Sequence, residues 1–452
     1  MKLLAILFAF ALVAAACGDD DDDSSSSDST SAEEEEASDD SALGGEEEAA
    51  DEEMADEEMA AGAALADEAV HGVGSAAYEA AVQASIAGEG VAADSAADPV
   101  LFTMANLEGD ALGSFPEVRE GLEIAIDQVN NEFGGIDGRP VELDVCVHGF
   151  DPNAAINCAN EIAEAQPNLN INGVEFFTPA LYPTFLGANV PTVQTVPIFV
   201  ADFVQPEVIS LYGGCPVAFP GGATYTMETL GLSKVAVLYA TTPPGLECYA
   251  DTQERFWQYL VDNEAAGAEF LGVPDNSGDP SDNDANVQQI ADFFGDTPPE
   301  ETGIFFGIAA ADCNEILAAV DAAGVESTVI GSGSCIDDSV LANPAAVGAQ
   351  FGQQAFIAER PDLYDDYSAW ELTYREDLLD NSPIRSAPVS AFLRVGYGVG
   401  IAAWEIMSRM AANGEDIDDP AAMVAAWQAL ENQHQVGGPP VTCTDNTSEF
   451  AA

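Results

Sequence analysis

The chain has 452 residues, 47% of them hydrophobic, and a mean hydropathy of +0.05. This length leaves room for roughly two or three domains with buried cores, which excludes a wholly disordered chain. Ten Lys and Arg residues stand against 80 Asp and Glu residues, so the formal net charge is −70. Such a charge repels nucleic acid and anionic lipid headgroups, and we expect neither as a partner. The three histidines are too scattered to form a local metal site.

The first 17 residues have the pattern of an export signal. Lys2 precedes an apolar run at 3–16, which is too short to span a bilayer because a membrane helix needs ~20 residues. The small residues before Cys17 resemble the lipobox of bacterial lipoproteins, in which the cysteine is lipidated and becomes the mature N-terminus. We therefore predict that 1–17 is a lipoprotein signal peptide ending in a lipidated Cys17. An ordinary cleaved signal peptide is the alternative.

The composition of residues 18–98 predicts a disordered acidic linker. Between 18 and 68 the chain carries 23 acidic residues and no Lys or Arg. Charges of one sign at this density repel one another, and the segment has little to bury. The Ala- and Gly-rich stretch 69–98 continues the linker, with a transient helix at 76–86. A lipid at one end would make this linker a tether; a calcium-binding acidic tract is the alternative.

From Pro99 onward, short apolar runs alternate with amphipathic helical patterns. This alternation predicts βαβ units and therefore parallel sheets that are covered by helices on both faces. The predicted strands are 100–105, 140–147, 169–174, 191–196, 234–240, 269–273, 303–307 and 327–331. Stretch 197–220 is interpreted as an irregular crossing. After it come the helices 221–231 and 246–266 and, near the end, an apolar strand-like run at 347–357 and helices at 364–380, 388–413 and 419–431.

The predicted fold class is α/β, with two doubly wound parallel-sheet lobes joined by a multi-crossing hinge. Helices that follow the second lobe cannot form a lobe alone and must pack on the first. We assign 99–218 and 347–431 to lobe 1, and 219–346 and 432–452 to lobe 2. Ligands bind at the carboxyl ends of the strands in such sheets, so a ligand is expected in the cleft between the lobes.

The motifs of common enzyme classes are incomplete or missing. No G-x-x-x-x-G-K-[ST] and no G-x-S-x-G sequence occurs. Gly331-Ser332-Gly333 follows a predicted strand, but Ile336 stands where a dinucleotide-binding motif requires its third glycine. We therefore predict a protein that is not an enzyme and uses no cofactor and no metal ion.

Five blocks of the globular part form a recognisable set. They are GLEIAIDQVN at 121–130, GGIDGRPVEL at 134–143, DPNAA at 151–155, KVAVLY at 234–239 and AAGAE at 265–269. Together they resemble the leucine/isoleucine/valine-binding family of periplasmic solute receptors, and the resemblance covers about 99–445. It implies a type I periplasmic-binding fold whose lobes close on a small solute, often an amino acid. It also implies delivery of that solute to an ATP-binding-cassette (ABC) permease, and we expect a monomer.

In this family the pocket is formed by loops at strand ends. The corresponding candidates in this chain are Glu108, Glu175, Phe177, Thr178, Thr195, Thr242, Ala309, Ser332 and Ser334. Amino-acid-binding relatives hold the carboxylate with hydroxyls and backbone N–H groups of the first lobe, and the ammonium with an acid of the second lobe. The position of that acid is Gly333 here, and Phe176 and Phe177 make the first-lobe wall more apolar.

A buried ammonium without a carboxylate is costly, so the glycine limits the ligand. Either Glu108, Glu175 or Asp337 replaces the missing acid, or the ligand carries no amine. We predict a lipid-anchored extracytoplasmic protein that binds a small polar solute, an amino acid or a related carboxylate or amide. Amine-poor molecules are expected to bind better than leucine, isoleucine or valine. The alternative function is a ligand-sensing receptor domain coupled to a signalling partner.

Seven cysteines besides Cys17 indicate an oxidising compartment. Their positions relative to the predicted strands and helices pair Cys146 with Cys158, and Cys313 with Cys335. Cys215 and Cys248 then pair by elimination, which leaves Cys443 single, although other pairings remain open. The acidic composition fits either salty surroundings or the composition of a lineage.

Overall fold

The computed structural model describes residues 74–110, 113–205, 207–251, 253–263, 265, 267–275, 282–307, 310–335, 340, 342–352, 366–438 and 440–443. The predicted signal peptide, Cys17 and the acidic stretch up to residue 73 lie outside the described residues. Within the described part, no helix combines the length and the apolarity needed to cross a membrane.

The described chain begins with a packed helix, α1 (Ala76–Ile86). Tyr78 and Val82 lie one turn apart and are fully buried, and the Tyr78 hydroxyl hydrogen-bonds to that of Tyr397. The helix stands where the sequence predicted a transient one. The assignment of 74–98 to the linker is wrong, because the apolar side chains of α1 form part of the core of the first lobe.

The first lobe is built on a parallel sheet with the strand order β2-β1-β3-β4-β5. Four of these strands overlap predicted ones, whereas β5 falls within 197–220, which the sequence analysis took as irregular. The strands are β1 (Val100–Leu107), β2 (Val141–His148), β3 (Leu169–Asn172), β4 (Thr192–Gln194) and β5 (Val208–Ser210).

The second lobe repeats this architecture with the order β10-β9-β8-β6-β7, again entirely parallel. Its strands are β6 (Lys234–Ala240), β7 (Glu269–Asp275), β8 (Thr302–Gly307), β9 (Thr328–Ser332) and β10 (Gln350–Gly352). The two α/β lobes with doubly wound parallel sheets confirm the predicted fold class.

Helices connect the strands and cover the sheets. After α1 they are α2 (Pro116–Asn131), α3 (Pro152–Ala165), α4 (Thr178–Ala188), α5 (Ala201–Val204), α6 (Gly214–Thr224), α7 (Pro243–Leu246), α8 (Gln253–Asn263), α9 (Asn283–Phe294), α10 (Ala310–Ala323), α11 (Asp366–Asn381), α12 (Ala391–Asn413) and α13 (Pro420–Gln428). The predicted helix 221–231 therefore begins earlier, at Gly214, and continues into a π-helical turn at Tyr225–Thr229. The predicted helix 246–266 is interrupted by a second π-helical turn, Glu247–Asp251.

Helix α12 returns the chain to the first lobe, where it packs against α2. The two helices approach so closely that a Cβ on Gly121 would overlap the Leu393 carbonyl oxygen, and one on Gly396 would overlap the Val118 carbonyl oxygen. Glycine is required at both contacts for this reason. The Gly396-Tyr397-Gly398 sequence therefore serves helix packing.

Two lobe boundaries differ from the predicted ones. Strand β10 pairs with β9, so the second lobe extends to Gly352 and the assignment of 347–352 to lobe 1 is wrong. The C-terminal segment also differs, because His434 hydrogen-bonds to Glu405 of α12 and the Cys443 N–H donates to the Leu430 carbonyl. The described residues 433–438 and 440–443 therefore belong with the first lobe and not with lobe 2.

Three disulfide bonds confirm the predicted pairs. Cys146 at the end of β2 is bonded to Cys158 in α3, and Cys313 in α10 is bonded to Cys335 after β9. The third disulfide joins Cys215 in α6 to Cys248. Cys443 is free, as predicted.

Candidate ligand-binding site

The strand orders identify one position in each sheet where a ligand is expected. In the first sheet, β2 lies on one side of β1 and β3 lies on the other. The connection from β1 therefore runs toward one edge of the sheet, and the connection from β3 runs toward the opposite edge. The second sheet has the same switch point between β6 and β8. Crevices outside the carboxyl ends of such strands bind ligands in open α/β sheets. The candidate site is therefore formed by the loops after β1, β3 and β4, and after β6 and β8.

Asn106 joins the ends of β1 and β3 across the first switch point. Its side-chain oxygen accepts a hydrogen bond from the Val174 N–H, and its amide nitrogen donates to the Phe115 carbonyl and to Glu108. A Cβ on Gly173 would overlap the Asn106 side chain, so glycine is needed for this connection. The two loops are thereby held in a fixed relation.

Glu108, a predicted site residue, is engaged by a cation from its own lobe. Arg119 Nε lies 2.8 Å and Nη2 lies 3.1 Å from its two carboxylate oxygens, and Arg119 also bonds Glu123. Burial acts to raise the pKa of Glu108, but the hydrogen bonds from Arg119 and Asn106 outweigh it and hold that pKa below its usual value. The carboxylate is charged and already paired.

Glu175 is likewise paired, with a buried histidine. His148 Nε2 lies 2.5 Å from one Glu175 carboxylate oxygen, and the other oxygen accepts a hydrogen bond from the Phe177 N–H. His148 Nδ1 lies 2.8 Å from the Gly149 carbonyl, which only accepts, so this nitrogen carries a proton. Burial disfavours the imidazolium, but the hydrogen bond and charge of Glu175 raise the pKa of His148.

Asp202 is a buried acid at the candidate site that was not among the residues predicted from the sequence. Its carboxylate is fully buried and accepts hydrogen bonds from the hydroxyls of Thr178 and Tyr182 at 2.6 and 2.5 Å. It also accepts from the Ile198 and Phe199 N–H groups at 2.7 and 2.9 Å. One carboxylate thus holds the first turns of α4 and the loop after β4 together. Burial raises the pKa of Asp202 in spite of these four donors.

Thr195 directly follows β4 and, unlike Glu108, Glu175 and Asp202, has a side chain that is not paired within the described part of the chain. It is fully buried, and no described residue hydrogen-bonds to its hydroxyl oxygen. The neighbouring Asn172 Nδ2 and Gln194 Oε1, which lie opposite each other on β3 and β4, are likewise buried without a hydrogen-bond partner among the described residues. The edge therefore retains neutral polar groups whose hydrogen bonds are not made within the described protein.

The predicted residues of the second lobe are less completely described. Thr242 is half-buried and precedes α7. Ala309 and Asp337 lie outside the described residues, and only the backbone of Ser332 and Ser334 is described. The disulfide Cys313–Cys335 fixes the backbone that contains Gly333 to α10.

Two buried acids of the second lobe, Asp275 and Asp312, were not among the residues predicted from the sequence. Asp275, at the end of β7, is 2% exposed and accepts a hydrogen bond from Asn286 of α9. Burial, followed by the nearby charge of Asp312, raises the pKa of Asp275 to about 6.

Among the described residues, no group of three or more His, Cys, Asp or Glu side chains is arranged to hold a metal ion.

Comparisons with known proteins agree with this geometry. A family model described as periplasmic binding protein matches residues 103–448. A search of curated proteins found no match.

Solved structures show similarity over most of the chain. A possible leucine/isoleucine/valine-binding protein from Rhodopirellula baltica is 13% identical with a TM-score of 0.62, over 78% of this chain and 92% of that one. A leucine-binding protein from Thermotoga maritima is 15% identical with a TM-score of 0.59, over 77% and 92%. A fatty acid ABC transporter substrate-binding protein from Thermomonospora curvata is 16% identical with a TM-score of 0.59, over 78% and 87%. At these identities the structures are evidence for the shared fold.

Proposed function

Because the chain belongs to the periplasmic binding protein family, we propose that it is an extracytoplasmic solute-binding protein that delivers a small molecule to an ABC permease. The observation that carries the proposal is the repeated switch point: in two similar sheets, the candidate loops lie at the corresponding edge. In this fold class the two edges line one cleft, and closure around the solute is the signal to the transporter. The family is one of binding proteins, in agreement with the prediction that the chain is not an enzyme.

We assign the pocket to the loops at these edges, with distinct roles for the predicted residues. Phe176, Phe177 and Thr195 form the first-lobe wall, and Thr242 contributes from the second lobe. Thr178 positions the wall, since its hydroxyl donates to a buried carboxylate. Ala309, Ser332 and Ser334 stay predictions of the sequence.

The paired acids favour a solute that carries no amine. Glu108 is bonded to Arg119 and Glu175 to His148, so neither is free to compensate an ammonium. The solved relatives include proteins named for leucine and for fatty acid, so the fold does not itself fix the solute class. We therefore retain the prediction that leucine, isoleucine and valine bind weakly.

A solute screen tests the proposed function. Amino acids, amides, short carboxylates and polyamines are added separately to the purified protein, and the thermal unfolding midpoint is recorded. A true solute at 100 times its Kd stabilises the folded state by about 2.7 kcal/mol, which raises the midpoint. It should also reduce the radius of gyration in small-angle X-ray scattering as the lobes close. A complete lack of response to every class would contradict the proposal.

We also propose that the protein is held at the membrane through lipidated Cys17. Cys17→Ser is expected to move the protein from the membrane fraction to the soluble fraction. Serine cannot carry the lipid, and the lipid is the proposed anchor. Fractionation followed by immunoblotting measures this, with Cys443→Ser as the matched control that keeps membrane association. Membrane association of the Cys17→Ser variant at the wild-type level would refute lipid anchoring.

A further inference from the structure

The carboxyl edge of the first sheet is lined by phenylalanine. Phe115 follows β1, Phe150 follows β2, Phe176 and Phe177 follow β3, and Phe199 follows β4. All five residues are half-buried. We call this set the aromatic edge.

Four rings of the aromatic edge, those of Phe115, Phe150, Phe176 and Phe177, pack together. The Phe176 ring centroid lies 5.7 Å from that of Phe115 and 5.9 Å from that of Phe150, in edge-to-face geometry. Phe150 also contacts Phe177 at 5.2 Å, and Phe392 of α12 supports Phe115 at 5.1 Å. Such contacts hold the rings in place, and a pre-formed aromatic wall favours apolar ligand groups.

The donors behind the aromatic edge are already used within the protein. The Phe177 N–H bonds to Glu175, and the Ile198 and Phe199 N–H groups bond to Asp202. The Thr178 hydroxyl also donates to Asp202. Backbone N–H groups in such loops are the natural holders of a ligand carboxylate, and here buried protein carboxylates accept from these three.

The charges at this edge also disfavour a ligand carboxylate. Glu175 and Asp202 are both 0% exposed and accept hydrogen bonds from N–H groups of these loops. The basic side chains in or next to the described loops after β1 to β4 are Arg119 and His148, and both are paired with glutamates. A ligand carboxylate here would lose its hydration without gaining a cation from the described residues, and it would approach two buried acids.

We infer that the solute held at the aromatic edge is uncharged, with an apolar or aromatic face and a neutral hydrogen-bonding group, rather than a carboxylate. This inference rests on the proposed function and narrows its solute class. The buried Thr195 hydroxyl, which has no described hydrogen-bond partner, supplies a neutral group suited to an amide or an alcohol. The aromatic rings supply the apolar contact.

Matched ligand pairs test the inference on the full-length protein. Calorimetric titration at pH 7.5 compares phenylacetamide with phenylacetate, and 3-methylbutanamide with 3-methylbutanoate. Within each pair the apolar part is constant and only the charge differs. We expect the amide to bind at least about tenfold more tightly, which corresponds to about 1.4 kcal/mol. A carboxylate, or leucine, that binds as tightly as the corresponding amide would overturn the inference.

Two variants test why the amide is expected to bind more tightly than the carboxylate. Glu175→Gln removes one buried charge and should reduce the amide-over-carboxylate preference severalfold, whereas a merely structural change would weaken both ligands alike. Phe176→Ala should weaken the amide by about tenfold through lost ring contact, while Tyr259→Ala, an exposed aromatic of α8, should not. Equal losses for both ligands in Glu175→Gln, or an unchanged affinity in Phe176→Ala, would count against the inference.

The outcomes separate this inference from the function on which it rests. If charged solutes close the lobes and neutral ones do not, the proposed function stands and the uncharged class is wrong. If no solute of any class changes the midpoint or the radius of gyration, both fail.

Discussion

Asp202→Ala is expected to lower the free energy of unfolding by about 4 kcal/mol or more. The carboxylate accepts hydrogen bonds from the Thr178 and Tyr182 hydroxyls and from the Ile198 and Phe199 N–H groups. Alanine leaves these four donors buried without an acceptor, and each such donor costs roughly 1–3 kcal/mol. The loss is partly offset because a buried charge is removed.

Urea unfolding followed by circular dichroism measures this effect. Asp321→Ala is the matched control, because Asp321 is exposed on α10 and its replacement should change stability by less than about 0.5 kcal/mol. Asp202→Asn keeps the shape but turns an NH2 group toward the same donors, so it should also be destabilising. A loss below about 1 kcal/mol in Asp202→Ala would show that the donors find other partners.

The sequence predicted the class of the fold because alternation of strands and helices is a local signal. It missed β5, which is three residues long and carries no periodic pattern of its own. Strand β10 lies inside the strand-like run predicted at 347–357. The sequence pattern assigned α1 to the linker as a transient helix, because an Ala-rich helix shows little amphipathicity, although Tyr78 and Val82 are fully buried.

The site was predicted at the level of loops and not of partners. The predicted strand ends place Glu108, Glu175 and Thr178 at the carboxyl edge of the first sheet, where the topology brings these loops together. Their polar groups are bonded to Arg119, His148 and Asp202, which lie 11, 27 and 24 positions away in the sequence, respectively. Sequence spacing does not reveal such distant partners. Asp202 did leave a signal, because it is an acid inside the apolar run at 196–204, and a buried acid requires donors.

His434 is the centre of a buried charge cluster that joins the C-terminal segment to the first lobe. Its Nε2 is bonded to Glu371, and its Nδ1 lies 3.1 Å from Glu405. The Gly437 N–H donates to the second Glu371 oxygen, and the Tyr78 ring of α1 lies 5.6 Å from the imidazole ring. Both imidazole nitrogens therefore face carboxylates, which favours the imidazolium. Burial opposes the charge, but these hydrogen bonds raise the pKa of His434 to about 9.

We expect stability to fall as the pH rises from about 6.5 to above 9. The pKa of His434 is higher in the folded state than its unfolded value of about 6.5, so the folded state binds the proton more tightly in this range. The stabilisation is complete below about 6.5 and declines by up to about 1.4 kcal/mol per pH unit, for a total near 3 kcal/mol. Urea unfolding at pH 6, 8 and 10 measures it. His434→Gln should be less stable at pH 6 and show a smaller decline, because glutamine cannot carry the charge between Glu371 and Glu405. His148→Gln should keep the part of the decline that His434 contributes and lose only the part that comes from the raised pKa of His148. An equal decline in His434→Gln would assign the pH dependence to other groups.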